Sequence, residues 1–339
     1  MTRTEAGPVT EDPPDREAGA IVRTVLGDLA PADLGRTDVH EHLLMRSPLL
    51  RGDELDDLDR SATEAGMLRA AGIDAVVELT PIGLGRDPLG VAEIARRAGL
   101  HIVLATGVHR EAHYPPEHWV HRTAPEVLAE LFVRDLTVGC DANDCSGPRE
   151  APTRVRAGVI KVGAGYWRIS PTEHRVLEAA GQAHRRTGAA VVCHLELGTA
   201  GPDVLDALGA VGVAPDRIAL AHADRNPDPG LHGELAAAGA YVCYDGAGRA
   251  KYWPDSLLVE CLLEVAKAGH AERLLLGADV ARRSAFRAYG GGPGLAYLPE
   301  RFVPRLEAAG GQALVDRLLV DNPARFLAIE SAPSAAGDR

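Results

Sequence analysis

Two histidines stand one residue apart in the stretch TDVHEH at residues 37–42. The apolar run that leads into them predicts a β-strand, and side chains two positions apart on a strand project from the same face. His40 and His42 are therefore candidate ligands of one transition-metal ion, because neutral imidazole binds zinc, nickel and iron. The alternative is two ordinary histidines near a strand end, and a motif this short does not decide between the two interpretations.

Four further residues that could hold a metal close apolar runs downstream. They are Lys161, His194, His222 and Asp279. One such residue alone is weak support for a site, but six candidates at the ends of five runs are hard to obtain by chance. The remaining histidines of predicted helices and loops are expected in solvent. These are His118, His121, His174, His184, His232 and His270.

The runs that would position these residues predict eight β-strands. They are apolar or β-branched without strict alternation, as expected for parallel strands that are buried on both faces. The predicted strands span residues 34–39, 73–79, 101–106, 158–162, 189–193, 217–221, 240–244 and 273–277.

Helical patterns separate the strands, and five of them end at a glycine, the residue most common at a helix C-terminus. The predicted helices span residues 62–71, 91–98, 125–136, 173–187, 204–211, 231–238 and 256–268. Eight strands alternating with helices predict an α/β fold of the (β/α)8 type, a TIM barrel. Active sites of such barrels lie at the carboxyl ends of the strands, where all six candidates fall.

The barrel domain is predicted to span residues 20–330, with a hairpin or lid strand at 21–29 and a closing helical segment at 312–329. Residues 1–19 are polar, contain three prolines and lack an apolar segment, so we expect a disordered extension and neither a signal peptide nor an anchor. Residues 331–339 are predicted to be a disordered tail.

Composition excludes several classes of partner. A net charge of −12 argues against a nucleic-acid partner, and no apolar run is long enough to span a membrane. The five cysteines are scattered and include no CxxC pair, which favours a reducing compartment, and we expect the cytoplasm. We also expect a homodimer and a small-molecule substrate.

Lys161 is the unusual member of the candidate site, because a protonated amine cannot bind a metal. Its neighbours Val159, Ile160 and Val162 suggest burial, which favours the neutral amine. A neutral amine can take up carbon dioxide and form a carbamate, which bridges two cations as a carboxylate does. The alternative is a structural lysine that is ion-paired with Asp279.

Several of these stretches together resemble the phosphotriesterase-like group of the amidohydrolase superfamily, over residues 21–329. The matching motifs are HEHL at 40–43, ELTP at 78–81, GLGRD at 83–87, GVIK at 158–161, CH at 193–194, AHAD at 221–224 and GAD at 277–279. The resemblance implies a TIM barrel with two divalent metal ions, expected to be zinc, at the carboxyl ends of the strands.

In that family pattern, His40, His42 and Asp279 would hold the buried metal, and His194 and His222 the exposed one. Carboxylated Lys161 and a hydroxide would bridge them. The implied reaction is hydrolysis of an ester-like bond, since two cations lower the pKa of a shared water towards neutrality. Asp279 and Lys161 are the expected catalytic residues, and Asp279 would carry the proton to the leaving alkoxide.

Three neighbouring loops after the last strands each carry a cation, namely Arg225, Lys251 and Arg282. With the glycine-rich run at 289–295, these loops resemble the phosphorylated-sugar lactonase branch of the family. That resemblance implies that the three cations bind a substrate phosphate. The alternative is that they are ordinary solvated charges of loops.

The leading hypothesis is a metal-dependent hydrolase that opens a phosphorylated sugar lactone, of the 5-phospho-aldono-1,4-lactone type, by attack of a metal-bridging hydroxide. A promiscuous phosphotriesterase or an acyl-homoserine-lactone lactonase is the first alternative, but those apolar substrates do not need three cations. A non-catalytic zinc-binding barrel is the second, and the presence of Lys161 and Asp279 beside the histidines argues against it.

Overall fold

The structure, a computed structural model, describes residues 19–144 and 152–330. The predicted disordered tail, and the predicted extension apart from Gly19, lie outside the described residues. Among the described residues, no helix combines the length and the apolar composition needed to cross a membrane.

An antiparallel hairpin is followed by eight parallel strands, so the predicted (β/α)8 barrel is confirmed. The strands are β1 (Val22–Thr24), β2 (Gly27–Leu29), β3 (Thr37–Glu41), β4 (Ala75–Glu78), β5 (His101–Gly107), β6 (Val159–Ala164), β7 (Val191–Leu195), β8 (Ile218–Ala221), β9 (Tyr241–Tyr244) and β10 (Leu274–Leu276). Strands β3 to β10 pair in sequential order. The backbone N–H of Asp279 donates to the carbonyl of His40 at 2.8 Å, which joins the last strand end to the first.

Helices surround the strands in the order that the sequence predicts. They are α1 (Leu58–Ala70), α2 (Pro88–Ala98), α3 (Pro125–Thr137), α4 (Pro171–Thr187), α5 (Gly201–Ala210), α6 (Pro229–Ala237), α7 (Asp255–Val265), α8 (Val303–Gly310), α9 (Gln312–Asp316) and α10 (Asn322–Leu327). Helix α1 begins four residues before the predicted residue 62, because the Asp57 side chain accepts the N–H of Arg60 and caps the helix there.

Two layers of apolar side chains lie on the two faces of the strands. Val103 and Ala105 of β5 pack inside the barrel with Val159 of β6, whereas Ile102 and Leu104 pack outside against the helices. This double burial explains why the strands read as continuous apolar runs. Because alternate residues share a face, Lys161 projects into the interior on the same side as Val159.

The hairpin of β1 and β2 lies at the amino-terminal end of the barrel. The N–H of Val25 donates to the carbonyl of Ile102, at the start of β5, at 2.9 Å. Ile21 and Ile329 exchange backbone hydrogen bonds, so the closing helical segment and the hairpin seal the same end. The prediction of a hairpin is correct, and its position away from the carboxyl ends of the strands excludes a lid over the active site.

Candidate active site

The carboxyl ends of the strands surround a cavity of about 180 Å³, here called the strand-end cavity. Its lining includes five of the six predicted metal-binding residues, which are His40, His42, His194, His222 and Asp279. The sixth, Lys161, is fully buried on β6. The fold thus brings the six residues to one end of the barrel, from strands or loops that are far apart in sequence.

Asp279 lies against both histidines of the first motif. Its Oδ1 is 3.5 Å from Nε2 of His40 and 3.3 Å from Nε2 of His42. Donor atoms of these three residues all lie within 4.8 Å of one another, close enough to bind one ion. The strand register shifts between Asp38 and Glu41, so β3 does not run as a regular strand through the motif.

Asp245, at the end of β9, orients two of the imidazoles. Its two carboxylate oxygens accept hydrogen bonds from Nδ1 of His40 and Nδ1 of His222, each at 2.7 Å. These bonds place the proton of each neutral ring on Nδ1 and leave Nε2 available for a metal. Burial lowers the pKa of His40 to about 4 and that of His222 to about 3, so both rings are in the ligating, neutral form at pH 7.

The rings of His42 and His194 each have one hydrogen-bonding partner as well. Nδ1 of His42 lies 2.9 Å from Oγ1 of Thr80, and Nε2 of His194 lies 2.9 Å from a carboxylate oxygen of Glu196. Burial also holds the pKa of His194 well below its usual value. Each ring therefore keeps one nitrogen free of these partners for a metal.

Lys161 has the environment that a carboxylated lysine requires. Its amine is fully buried, makes no hydrogen bond within the described residues, and forms no ion pair with Asp279. Burial lowers the pKa of Lys161 despite the nearby charges of Asp279 and Asp245. A buried amine with a lowered pKa and no partner among the described residues fits the proposed bridge, and the alternative of a structural ion pair is not observed.

Two arginines hold Asp279. Its Oδ2 accepts a hydrogen bond from Arg225 at 2.8 Å and forms an ion pair with Arg249 at 2.9 Å. Burial alone would raise the pKa of Asp279, but Arg249 and the histidines keep it well below the usual value, so the carboxylate is ionised. Arg225 was predicted to bind phosphate, yet in this structure its charge is engaged by Asp279. Arg249 makes the same contact and was not singled out from the sequence.

Lys251 and Arg282, the other two predicted phosphate-binding residues, line the strand-end cavity. Lys251 has no ion pair within the part of the chain that is described, and its Nζ lies 4.8 Å from the centre of the Tyr252 ring. Arg282 contacts Asp53 at 3.3 Å, and its side chain is 48% exposed. Lys251 can thus meet an anion directly, whereas Arg282 is paired with Asp53 but remains accessible from solvent.

Two buried histidines in the loop after β5 also line the strand-end cavity. The rings of His109 and His113 are 3.9 Å apart, and His109 is 4.6 Å from His194. Burial lowers the pKa of both, so they present neutral polar groups beside the metal-binding residues. His113 was missed because it lies in an irregular loop, whereas Asp245 could have been found as another carboxylate that closes a strand.

One expectation about the remaining histidines is wrong. His232 is buried, and its ring contacts the Tyr244 hydroxyl at 2.7 Å and the carbonyl of Ala223 at 3.0 Å. These partners lie on β9 and in the loop after β8, so nothing in the helical pattern around His232 indicates them.

Comparison with known proteins agrees with this geometry. Residues 20–327 match the model of the phosphotriesterase family. The phospho-furanose lactonase of Mycoplasmopsis synoviae (strain 53) is 32% identical over 326 residues, which cover 91% of this chain and 92% of that protein.

Two solved structures share the fold closely. A lactonase from Listeria monocytogenes superposes with a TM-score of 0.84 at 29% identity, covering 91% of this chain and 98% of that one. The phosphotriesterase homology protein of Escherichia coli, solved with phosphate in its active site, gives a TM-score of 0.80 at 30% identity. That match covers 88% of this chain and all of the other (100%).

Proposed function

The chain belongs to the phosphotriesterase family, whose members are metal-dependent hydrolases of ester bonds, and on that basis we propose that it opens a phosphorylated sugar lactone. The proposed substrate is of the 5-phospho-aldono-1,4-lactone type. One observation carries the substrate assignment. Lys251 and Arg282 line the same cavity as the metal-binding residues, in a chain whose net charge is −12.

The relatives support this substrate class. One carries the name phospho-furanose lactonase, and another was solved with phosphate in its active site. A local cluster of cations in an acidic protein attracts an anionic ligand and orients it. The apolar substrates of a phosphotriesterase or an acyl-homoserine-lactone lactonase would gain nothing from this cluster.

The residues present fit a binuclear centre. His40, His42 and Asp279 would hold one cation, His194 and His222 the other, and carboxylated Lys161 would be shared. When bound, two divalent cations, which we expect to be zinc, supply a hydroxide nucleophile near neutral pH and polarise the lactone carbonyl.

The chain's own residues would do the rest. Asp245 fixes the rings of His40 and His222, and Arg225 and Arg249 hold Asp279 by ion pairs before reaction. Asp279 would accept a proton at a carboxylate oxygen and pass it to the ring oxygen that leaves as the alkoxide. Lys251 and Arg282 would hold the phosphate and so orient the lactone carbonyl. We further propose that the enzyme is cytoplasmic and that it forms a homodimer. Sedimentation analysis of the purified protein would test the dimer.

The phosphate assignment predicts losses that depend on the substrate. One charge-assisted hydrogen bond contributes about 1.5–3 kcal/mol. Lys251→Ala and Arg282→Ala should therefore each lower kcat/KM on a 5-phosphorylated lactone about 10- to 100-fold. The same variants should hydrolyse the matched lactone without phosphate at close to the wild-type rate. Arg282→Lys should recover only part of the loss, because an ammonium does not replace the planar guanidinium fork.

Arg283→Ala and Lys267→Ala are the matched controls. Arg283 is the next residue of the same loop but points to Asp56, and Lys267 lies in the turn that follows α7. Neither lines the strand-end cavity. Equal losses on both lactones, or losses of the same size in the controls, would show that Lys251 and Arg282 do not bind the phosphate.

Asp245→Asn should weaken metal binding although Asp245 is assigned to neither metal. The amide cannot accept both Nδ1–H hydrogen bonds, so the rings of His40 and His222 lose their fixed orientation. Loss of such an outer partner typically costs about 10- to 100-fold in metal affinity. Competition with a chromophoric chelator measures it, with the exposed Asp216→Asn as control. Unchanged affinity would mean that Asp245 does not position the ligands.

A further inference from the structure

A second cavity of about 290 Å³, here called the second chamber, adjoins the strand-end cavity. Four residues line both spaces and form the wall between them. They are Arg249, Lys251, Ala281 and Arg282. The cations proposed to hold the substrate phosphate therefore face the metal-binding residues on one side and the second chamber on the other.

Beyond that wall the second chamber is apolar. Its other side chains are small, and none of them is ionisable. They belong to Ala247, Ala250, Val280, Ala285 and Pro293, with the backbones of Gly248, Gly292 and Gly294 completing the lining. Such a surface binds an uncharged carbon chain better than it binds a second anion.

The second chamber is built by loops that the protein anchors. Glu64 accepts the backbone N–H of Ala288 at 2.7 Å and that of Leu295 at 3.0 Å, which fixes both ends of the glycine-rich run. Gly248 has a φ of +74°, and a Cβ at this position would lie 2.9 Å from the Tyr297 ring. The space is therefore already formed before a ligand arrives.

We propose that the second chamber binds the alcohol-derived group of a phosphodiester. The substrate class would then be a sugar lactone whose phosphate also carries a short uncharged alkyl group. This inference rests on the proposed function, because it needs the phosphate at the shared wall. There the lactone would point to the metal-binding residues and the alkyl group into the second chamber.

The chemistry leaves the phosphodiester intact. Water adds to the lactone carbonyl, the bond from the carbonyl carbon to the ring oxygen breaks, and the proton goes to that oxygen. The product is an open-chain aldonate that still carries its phosphodiester. A phosphate monoester would undergo the same reaction but would leave the apolar walls of the second chamber in contact with water.

A pair of substrates with equal charge tests the inference. The lactone 5-(methyl phosphate) and the lactone 5-(butyl phosphate) differ by three CH₂ groups, each of which favours binding about fourfold when it is buried. Ordering of the chain offsets part of this gain, so we expect kcat/KM of the wild-type, metal-loaded enzyme to be at least tenfold higher for the butyl ester. A butyl-to-methyl ratio near one would overturn the inference.

Two variants fill the second chamber from different walls. Ala285→Phe and Ala250→Phe should each bring the butyl-to-methyl ratio down to near one. Ala250 is exposed, so the fold tolerates a larger side chain there even if Ala285→Phe does not fold. Ala210→Phe, at the exposed end of α5, is the control for an added phenyl group and should keep the wild-type ratio. A ratio that stays high in both filling variants would place the alkyl group elsewhere.

The same assay separates failure of this inference from failure of the proposed function. Should the wild-type enzyme prefer the lactone 5-phosphate to the unphosphorylated lactone and yet show no gain from methyl to butyl, only the second chamber is wrongly assigned. Absence of any preference for phosphate would overturn both, since the alkyl group would then have no anchor at the wall.

Discussion

Replacement of Lys161 by alanine is expected to remove bound metal and activity together. The amine is buried without a hydrogen bond among the described residues and its pKa is lowered, which suits a carbamate that two cations share. Elemental analysis of protein prepared without chelator should find about two divalent ions per wild-type chain, as in other two-metal sites, and far fewer in Lys161→Ala. A short carboxylic acid added to the variant should restore part of both, because it can occupy the place of the carbamate.

Lys267→Ala is the control for this experiment, since Lys267 is an exposed lysine that does not line the strand-end cavity. Retention of metal and activity in Lys161→Ala would refute the bridging role. So would a wild-type enzyme that carries no metal and keeps its full activity in the presence of a chelator.

Asp279→Asn is expected to keep much of the metal and to lose most of the activity. The amide oxygen can still bind a cation, but the neutral amide cannot take up the proton. General acid–base catalysis contributes about 10²- to 10⁴-fold, so kcat should fall by that range. Steady-state kinetics and metal analysis on the same preparation measure the two effects separately.

Asp228→Asn is the matched control for the same chemical change. Asp228 caps α6 by accepting the backbone N–H of Gly230 and Leu231, and asparagine caps a helix about as well. A near wild-type kcat for Asp279→Asn would show that the proton leaves by another route. A kcat that falls equally in Asp228→Asn would point to a general effect on the fold.

The backbone at this site is itself strained, which fits a functional role. His222 has a φ of +65° and Asp279 a φ of +50°, values that side chains with a Cβ rarely adopt. Such residues persist only where the surrounding structure holds them, and they concentrate at functional sites. The two strained residues, His222 and Asp279, are both proposed metal ligands.

The barrel could be predicted because its strands are buried on both faces and its helices end at recognisable residues. Gly99 and Gly188 adopt the left-handed conformation at the ends of α2 and α4, as the sequence indicates. The boundary of α1 was less accurate, since its first turn depends on the Asp57 cap more than on an apolar repeat.

The candidate ligands could be located from the strand ends, but their partners could not. The contacts of Arg225 and Arg249 with Asp279 bring together three loops, and each loop conformation depends on packing against the others. His113 lies in a short irregular turn and is held by the hydroxyl of Ser47, which follows a different strand. Such contacts have no periodic signature in the sequence.

The most direct test of the account is kcat/KM of the wild-type, metal-loaded enzyme on one sugar lactone with and without its 5-phosphate. Two cations that each contribute about 10- to 100-fold predict a preference of at least 10²-fold for the phosphorylated lactone. Equal kcat/KM on the two lactones would contradict the proposed function.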